Sequence, residues 1–590
     1  MKGFYGRILR IDLSTSSFTI DPIGDDILRK YLGGKGLGSY LLYRYNPQGV
    51  DPLSPENCLI FTTGPSCAGS VWGSSRYGVF TKSPQTGFYS ESYSGGKTPV
   101  AVDATGYDAI VIHGKADAPA VLVISPEDVG FFPADDLWGK DTFDTEDAVN
   151  ARFSGSDSVY KRTGAVVIGP AGENLVRFAV IENDYWRSAG RTGVGTVMGS
   201  KLLKAIVFQG DRKRAVHDAD RLKTISKTMA MAAKDHPGVA AYKSKGTPMM
   251  VQILNNANAF PTKYWSEGKC GHWEKIGADA LHGQCSVTPH ACLKCYMACG
   301  RMTEVRDGRH AGLKLEGPEY ETIYAFGGLC MVDSIEEIIY LNDLCDRLGM
   351  DTITTGNLCA FTIEAFRQGK VDYPVDYGQV DAIAALIKKI AGREGIGGIL
   401  ANGIVAAAEQ WDMADTAVHV KGLEPAGYDP RVLKGMGLSY ATSDRGACHL
   451  RTTFYKPELS GVIAPEAIEG KAELVVDFED RLILFDALIL CRFYRDLYAW
   501  QELGQLIQAL TGIAGDKETL RGIAVNIADL VRKFNLREGL TADDDRLPRY
   551  LNKPFASGGG VITPGELETM RADYYRLRGW DADGRLNDDS

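Results

Sequence analysis

The 590-residue sequence lacks any low-complexity tract and any internal repeat with a period of about 20 to 50 residues, which excludes solenoids and propellers. It lacks a basic block: Lys+Arg number 65 against 75 Asp+Glu, for a net charge of -10, so nucleic acid is not expected as a partner. It lacks a long apolar run. The opening "MKGFYGRILRIDLS" holds no signal-peptide core, and the most apolar later stretch, "RLILFDALILCRFY", is broken by Asp486 and bounded by Arg481 and Arg492. No membrane span is expected, and a cytoplasmic location is. No G-x-S-x-G occurs, so serine-hydrolase chemistry has no motif to stand on. "GGKT" would need Gly at position 91 to make a phosphate-binding Walker loop, and Glu91 stands there. "GVGTVMG" has one residue too many for G-x-G-x-x-G, and "NDYWRSAGR" before it does not read as a strand, so a dinucleotide fold is not expected.

Twelve cysteines are present, without a secretory signal, and are better read as thiols and metal ligands than as a disulfide framework. Glycine is abundant at 67, concentrated in "YLGGKGLGSYLLYRY", "ESYSGGKTP" and "RSAGRTGVGTVMGSK". Such loops can present backbone N–H groups to phosphates, although each taken alone reads equally as a tight turn.

Residues 1 to about 210 carry short β-branched runs separated by turn signals, among them "GRILRIDL", "CLIFTTGP", "YGVFTKSP", "DAIVIHGKA", "GAVVIGPAG", "LVRFAVI" and "KAIVFQGD". Several share a plan in which a strand ends in Gly and another follows, which predicts paired sheets. From about 211 the hydrophobic period changes to 3.6, as in "ADRLKTISKTMAMAAKD", "SIEEIIYLNDLCDRLG" and "VDAIAALIKKIAGREG", and the remainder is expected to be mainly helical. The fold class is α+β.

The stretch "PHACLKCYMACGRM" sets Cys292, Cys295 and Cys299 in C-x2-C-x3-C spacing. Three soft ligands so placed suit a compact metal centre, and a cubane iron–sulfur cluster needs a fourth. Cys285, Cys330, Cys345, Cys359, Cys448 and Cys491 are all candidates. A zinc site completed by His290, or reduced core thiols, are the alternatives.

Ten ordered blocks, among them "GFYGRILRIDLS", "YLGGKGLGSYLLY", "ATGYDAIVIHGKA", "VIGPAGENLVRFA", "GPEYETIYAFG", "DRLGMDTITTG", "RGACHLR" and "YYRLRGWD", resemble the tungsten-containing aldehyde:ferredoxin oxidoreductase family from residue 3 to about 581. The resemblance implies a β-rich base at 1–210, two sheets forming a saddle under a bis-pterin cofactor, then two mainly helical domains at 211–417 and 418–590. It implies one 4Fe–4S cluster on Cys292, Cys295, Cys299 and Cys491. Asp346, Gly349 and Asp351 of one motif, and Asp486 of its companion, would meet the pterins; Ile489 stands where the family has a second Gly. The pterin phosphates, bridged by magnesium, would lie against Tyr93, Ser94, Gly95 and Gly96 and against Ala189, Gly190 and Arg191. Arg76 would lie between pterin and cluster.

For the chemistry, Glu321 is expected to take a proton, with Glu319 in reserve, and His449 to donate a hydrogen bond to the aldehyde oxygen. The implied reaction is oxidation of aldehydes to carboxylic acids at a tungsten bis-pyranopterin. Electrons would leave through the cluster to ferredoxin or an iron–sulfur subunit, with a flavin subunit possible beyond it, in an oligomer or hetero-complex. The same framework in benzoyl-coenzyme A reductase is the rival enzyme, and an iron–sulfur relay or zinc-stabilised scaffold the rival of another class. No histidine lies between His310 and His419, so a metal bridging two subunits through that region is not expected.

Overall fold

The computed structural model describes residues 1–67, 69–154 and 159–587. Its first 210 residues build two six-stranded sheets of the same design. The first contains β1 (Arg7–Asp12), β2 (Ser17–Pro22), β3 (Leu59–Thr62), β4 (Tyr77–Lys82), β5 (Tyr89–Ser94) and β6 (Ala109–His113), in the order β2-β1-β6-β3-β4-β5. The second contains β7 (Ala120–Ile124), β8 (Val129–Pro133), β9 (Arg162–Val167), β10 (Ile181–Asn183), β11 (Arg187–Ala189) and β12 (Leu203–Gly210), in the order β8-β7-β12-β9-β10-β11 when read from the corresponding edge.

The pairing senses also repeat. β1 runs antiparallel to β2 and parallel to β6, as β7 does to β8 and β12. β3 is antiparallel to β6 and β4, as β9 is to β12 and β10. The strand-then-glycine plan in the sequence is thus the trace of two equivalent halves. β3 leads to Gly64-Pro65 and β9 to Gly169-Pro170. Gly is required at both, because a Cβ on Gly64 would lie 2.6 Å from the carbonyl oxygen of Leu488, and one on Gly169 2.5 Å from that of Leu348. Leu348 and Leu488 are the last residues of two long helices, Ile335–Leu348 and Lys471–Leu488. Each half of the base therefore receives one helix end from the second part of the chain.

Five strands of the base escape the sequence reading, β2, β5, β8, β10 and β11, and "LVRFAVI", read as a strand, turns instead and reaches β10 only at Ile181. "NDYWRSAGR", expected to be irregular, forms the β10–β11 hairpin, whose strands are three residues each and too short to show a period. The second part is not wholly helical either. β13 (Cys285–His290), β14 (Gly300–Val305) and β15 (Lys314–Glu316) form a small antiparallel sheet. Its β13–β14 connection is the loop that carries Cys292, Cys295 and Cys299.

Hydrophobic burial ties the parts together. The largest core runs from Phe260, Trp265 and Tyr320 through Phe361, Trp411 and Tyr440 to Tyr575, and takes in Phe178 from the base. Another joins Leu28 and Tyr31 to Ile225 and Met229 and to Leu484, Leu503 and Ile507. The expected helices form at Ala219–Lys234, Ile335–Leu348 and Val380–Gly392; the first is capped by the Asp218 carboxylate, which accepts from the Arg221 N–H at 2.9 Å. Among the described residues no helix is long and apolar enough to cross a membrane.

Candidate functional site

The β13–β14 loop folds against the base so that Cys292, Cys295 and Cys299 line one cavity of about 290 Å3. The fourth thiol on its wall is Cys491, brought from the segment that leaves the Lys471–Leu488 helix. Cys285, Cys330, Cys345, Cys359 and Cys448 are buried in the core and do not line it. His290 is turned aside, its Nδ1 3.1 Å from Glu316. Arg76 lies on the same wall, its Nη1 3.8 Å from the Cys491 Sγ and its guanidinium 5.9 Å from the Tyr93 ring centre. Gly95 closes the other side, where a Cβ would sit 2.8 Å from the Cys292 Sγ. Burial raises the Cys292, Cys295 and Cys299 thiols above their ordinary range. Among the described residues no three His, Cys, Asp or Glu side chains converge as the ligands of a single ion would; the four thiols surround a volume instead.

A second cavity, of about 180 Å3, adjoins the first through Trp186, Ser188, Glu316 and Glu319, which line both. It is lined as well by Gly190, Glu321, Asp346 and Asp351. Glu321 sits in the first turn of the short helix Tyr320–Ile323, which widens into a π-turn at Tyr324–Leu329. Its Oε2 accepts from the Gly427 N–H at 2.9 Å. Its Oε1 lies 3.4 Å from the His449 Nε2, but not in hydrogen-bonding alignment, so that oxygen and the His449 Nδ1 both remain buried without a partner. Burial pushes the Glu321 carboxyl up to about 7. Burial, together with the charges of Arg191, Arg445, Arg492 and Arg495, holds His449 well below its usual value, so its imidazole is neutral near pH 7. Glu319, also raised by burial, is tied to the Thr247 hydroxyl and has less freedom than Glu321.

The two aspartate motifs end their helices alike. Gly349 (φ 75°) and Ile489 (φ 64°) both take the left-handed conformation, and in both the next N–H turns back, Met350 to the Cys345 carbonyl at 3.0 Å and Leu490 to the Phe485 carbonyl at 2.7 Å. Ile489 thus keeps the backbone path of a glycine. Asp351 caps the following helix, accepting from Ile353 N at 3.3 Å and Thr354 N at 3.0 Å, and pairs with Arg191 at 3.2 Å. Asp346 accepts from Asn342 at 2.7 Å. Asp486 is clasped by Arg492 and lies 3.4 Å from Arg451.

The loops expected at the phosphates are equivalent in the two halves. Tyr93-Ser94-Gly95-Gly96 ends β5, and Ala189-Gly190-Arg191 ends β11. They adjoin, because the Ser92 hydroxyl on β5 donates to the carbonyls of Gly190 at 2.9 Å and Arg191 at 3.1 Å. A Cβ on Gly190 would make only ordinary contacts, with the Ser188 and Val180 side chains at 3.7 Å, and Gly190 itself lines the second cavity. Behind the loops, burial and the charge of Arg492 pull Arg451 down to about 9. Its Nε and Nη2, with the Arg492 Nη1, are buried donors without partners. Buried cations with spare N–H groups are what an anionic ligand requires.

The comparisons with known proteins agree with this geometry. Residues 8–210 match the model "Aldehyde ferredoxin oxidoreductase, N-terminal domain" and residues 224–590 match "Aldehyde ferredoxin oxidoreductase, domains 2 & 3". The chain belongs to the aldehyde ferredoxin oxidoreductase family. It is 35% identical to the tungsten-containing aldehyde ferredoxin oxidoreductases of Pyrococcus furiosus and Thermococcus kodakarensis, over 99% of this chain and 98% of each relative. It is 28% identical, over 99% of this chain and 96% of the relative, to the P. furiosus aliphatic sulfonate oxidoreductase, WOR-like subunit, so family members with different named substrates share its full length. The active site complex BamBC of benzoyl coenzyme A reductase has the same fold, with a TM-score of 0.86 at 23% identity, covering all of this chain and 96% of that one.

Several residues that this oxidoreductase places at the site were not singled out from its sequence. Arg187 lines the first cavity and pairs with Glu316; Glu91 meets Lys35 at 2.8 Å and also meets Arg451. Arg451 ends "RGACHLR" and Arg492 directly follows Cys491, so those two were legible as neighbours of motif residues. Arg187 and Glu91 were not, since charged residues on strands usually face water.

Proposed function

We propose that this chain oxidises aldehydes to carboxylic acids, RCHO + H2O → RCOOH + 2H+ + 2e−, and passes the electrons to ferredoxin or to an iron–sulfur partner subunit, with a flavin subunit able to follow. The observation that carries the reading is the Glu321–His449 pair, with partner-free polar atoms, set beside a cavity that adjoins the one lined by four thiols and Arg76. The groups implied are a tungsten bis-pyranopterin, which when bound supplies the two-electron acceptor, and one 4Fe–4S cluster, which supplies a one-electron relay.

The residues present fit both. Cys292, Cys295, Cys299 and Cys491 would hold the cluster, their spread around a volume favouring it over a lone zinc. Gly190 on the wall of the second cavity and the spare N–H groups of Arg451 and Arg492 suit a pterin and its phosphate. Asp346 and Asp351, on the second cavity, and Asp486 would accept hydrogen bonds from pterin nitrogens. Tyr93, Ser94, Gly95, Gly96, Ala189, Gly190 and Arg191, on two adjoining loops, would hold a magnesium ion beside the phosphates. Arg76, beside Cys491, would bind the anionic groups on either side of it.

At the substrate, the neutral His449 imidazole donates an N–H to the aldehyde oxygen as negative charge grows there. The Glu321 carboxylate accepts a proton released as water adds oxygen to the carbonyl carbon. A pKa of about 7 suits it to take up that proton near neutral pH and give it back. The surrounding tyrosines exclude bulk water: Tyr428 lies 5.5 Å from the His449 ring and stacks on Tyr455 at 4.0 Å.

The cytoplasm, which is reducing, suits such thiol ligands. The test is metal analysis of the purified chain together with aldehyde-dependent reduction of a viologen dye. Tungsten with about four irons per chain, and dye reduction, are expected. Iron without tungsten, and no dye reduction, would make the chain an electron relay.

A further inference from the structure

Against a net charge of -10, one region beside the thiol cavity is strongly basic. A pocket of about 400 Å3 is lined by Arg162, Arg212, Lys213, Arg214 and Lys294, with Asp103 its one carboxylate among the described residues. Arg214 is fully engaged, paired with Asp103 at 2.6 Å and Asp108 at 2.5 Å. The others keep positive charge toward solvent. Lys213 is exposed and has no ion-pair partner among the described residues; Arg162 donates to the Arg212 carbonyl at 3.2 Å, and Lys294 to the Cys67 carbonyl at 3.0 Å. Arg212 meets Glu127 at 2.6 Å in a pair too exposed to cancel its field at contact range.

This pocket is separated from the thiol cavity by a single layer of backbone. Lys294 lies between Cys292 and Cys295, and its carbonyl accepts from the Gly73 N–H at 2.8 Å. In the next residues Ser74 faces the basic pocket, while Gly73 and Ser75 face the thiols. On the same loop Leu293, next to Lys294 in the chain, is 43% exposed and lines the thiol cavity. A cluster of like charge beside an exposed apolar side chain suits a docking face, the charges steering the approach and the apolar contact adding affinity.

We infer that this face docks an acidic one-electron carrier protein, its carboxylates meeting Arg162, Arg212, Lys213 and Lys294 while Leu293 is covered. The inference rests on the proposed function for its electrons, but the contact is set by the surface alone. A carrier seated there stands one backbone layer from the thiols, whereas the rest of an acidic molecule would repel it.

The probe is an acidic 2[4Fe–4S] ferredoxin, with the holoenzyme compared to the exposed-site variants K213E and R212E/K213E. Calorimetric titration is expected to show binding that weakens about tenfold or more between 20 and 200 mM salt, and a further loss of about tenfold or more in the double variant at low salt. Ferredoxin-linked kcat/KM should fall in parallel, while viologen-linked turnover stays at the wild-type level. Binding that is absent, or indifferent to charge reversal and to salt, overturns the inference. Failure of the wild-type enzyme to oxidise aldehydes with viologen would instead count against the proposed function and leave the titration to decide the docking face.

Discussion

The His449 Nε2 stands 3.4 Å from the Glu321 Oε1, yet neither side chain satisfies the other. Two polar groups held close, buried and unsatisfied cost stability, and such strain is retained where a ligand completes the bonding. Replacing Glu321 by Gln removes the base while keeping shape, and should lower turnover by about 10²–10⁴-fold with tungsten and iron contents unchanged. The wild-type kcat/KM should rise with pH through about 7, because the ionised carboxylate is the active form, and the variant should lack that limb. Stability gives an independent sign. A carboxyl raised in the folded state favours folding below its ordinary value of 4.5 and loses that contribution as pH rises through about 7, so the Gln variant should gain thermal stability over the wild type at pH 8.

His449 is expected to act without changing charge. Because burial and four arginines hold it neutral, the rate profile should show no second ionisation assignable to it between pH 6 and 8. His449→Ala should cost about 10²–10³-fold in kcat, the usual loss of one oxyanion donor, and His449→Gln, which keeps an N–H, should recover part of it. Equal loss of tungsten in both variants would assign His449 a structural role.

The cluster assignment is tested through the cysteines. Cys491→Ala should lose or degrade the iron–sulfur absorbance and the EPR signal of the reduced protein, since one iron would lack its thiolate. Cys285→Ala and Cys448→Ala should retain both, because Cys285 opens β13 inside the core and Cys448 faces Arg445 at 3.1 Å, away from the cavity. A normal spectrum in the Cys491 variant would move the fourth ligand elsewhere.

How far the sequence led depends on the length of each element. The long amphipathic helices declared themselves by period, the buried strands by β-branched runs between turn signals, and the three clustered cysteines by spacing. The β10–β11 hairpin did not, since three-residue strands carry no period, and neither did the small sheet that presents the cysteine loop. Cys491 could be tied to the other thiols by family pattern alone: in the sequence it is one cysteine among six candidates, and tertiary folding singles it out. The duplication of the base was half-visible as strand-then-glycine units, but the shared strand order that makes Gly64 equivalent to Gly169 belongs to three dimensions.

That equivalence makes opposite substitutions at two matched positions both destabilising, for different reasons. Gly349 and Ile489 occupy the same left-handed step after their helices, and a side chain there costs about 1–2 kcal/mol in backbone strain. At 349 a Cβ would also lie 2.9 Å from the Gly169 N, a backbone atom that cannot yield, so Gly349→Ala should lower the unfolding midpoint and weaken the seat of its helix on the second half of the base. At 489 the strain is already present and a Gly would relieve it. The Ile489 side chain, however, is buried against Gly34 and Gly64, and removing a buried side chain of that size costs about 2–5 kcal/mol. Packing outweighs strain, so Ile489→Gly should destabilise by about 1–3 kcal/mol even though it restores the glycine of its partner motif. Thermal unfolding of the two variants beside the wild type decides the matter: a rise in midpoint for Ile489→Gly would mean that the isoleucine is tolerated rather than needed.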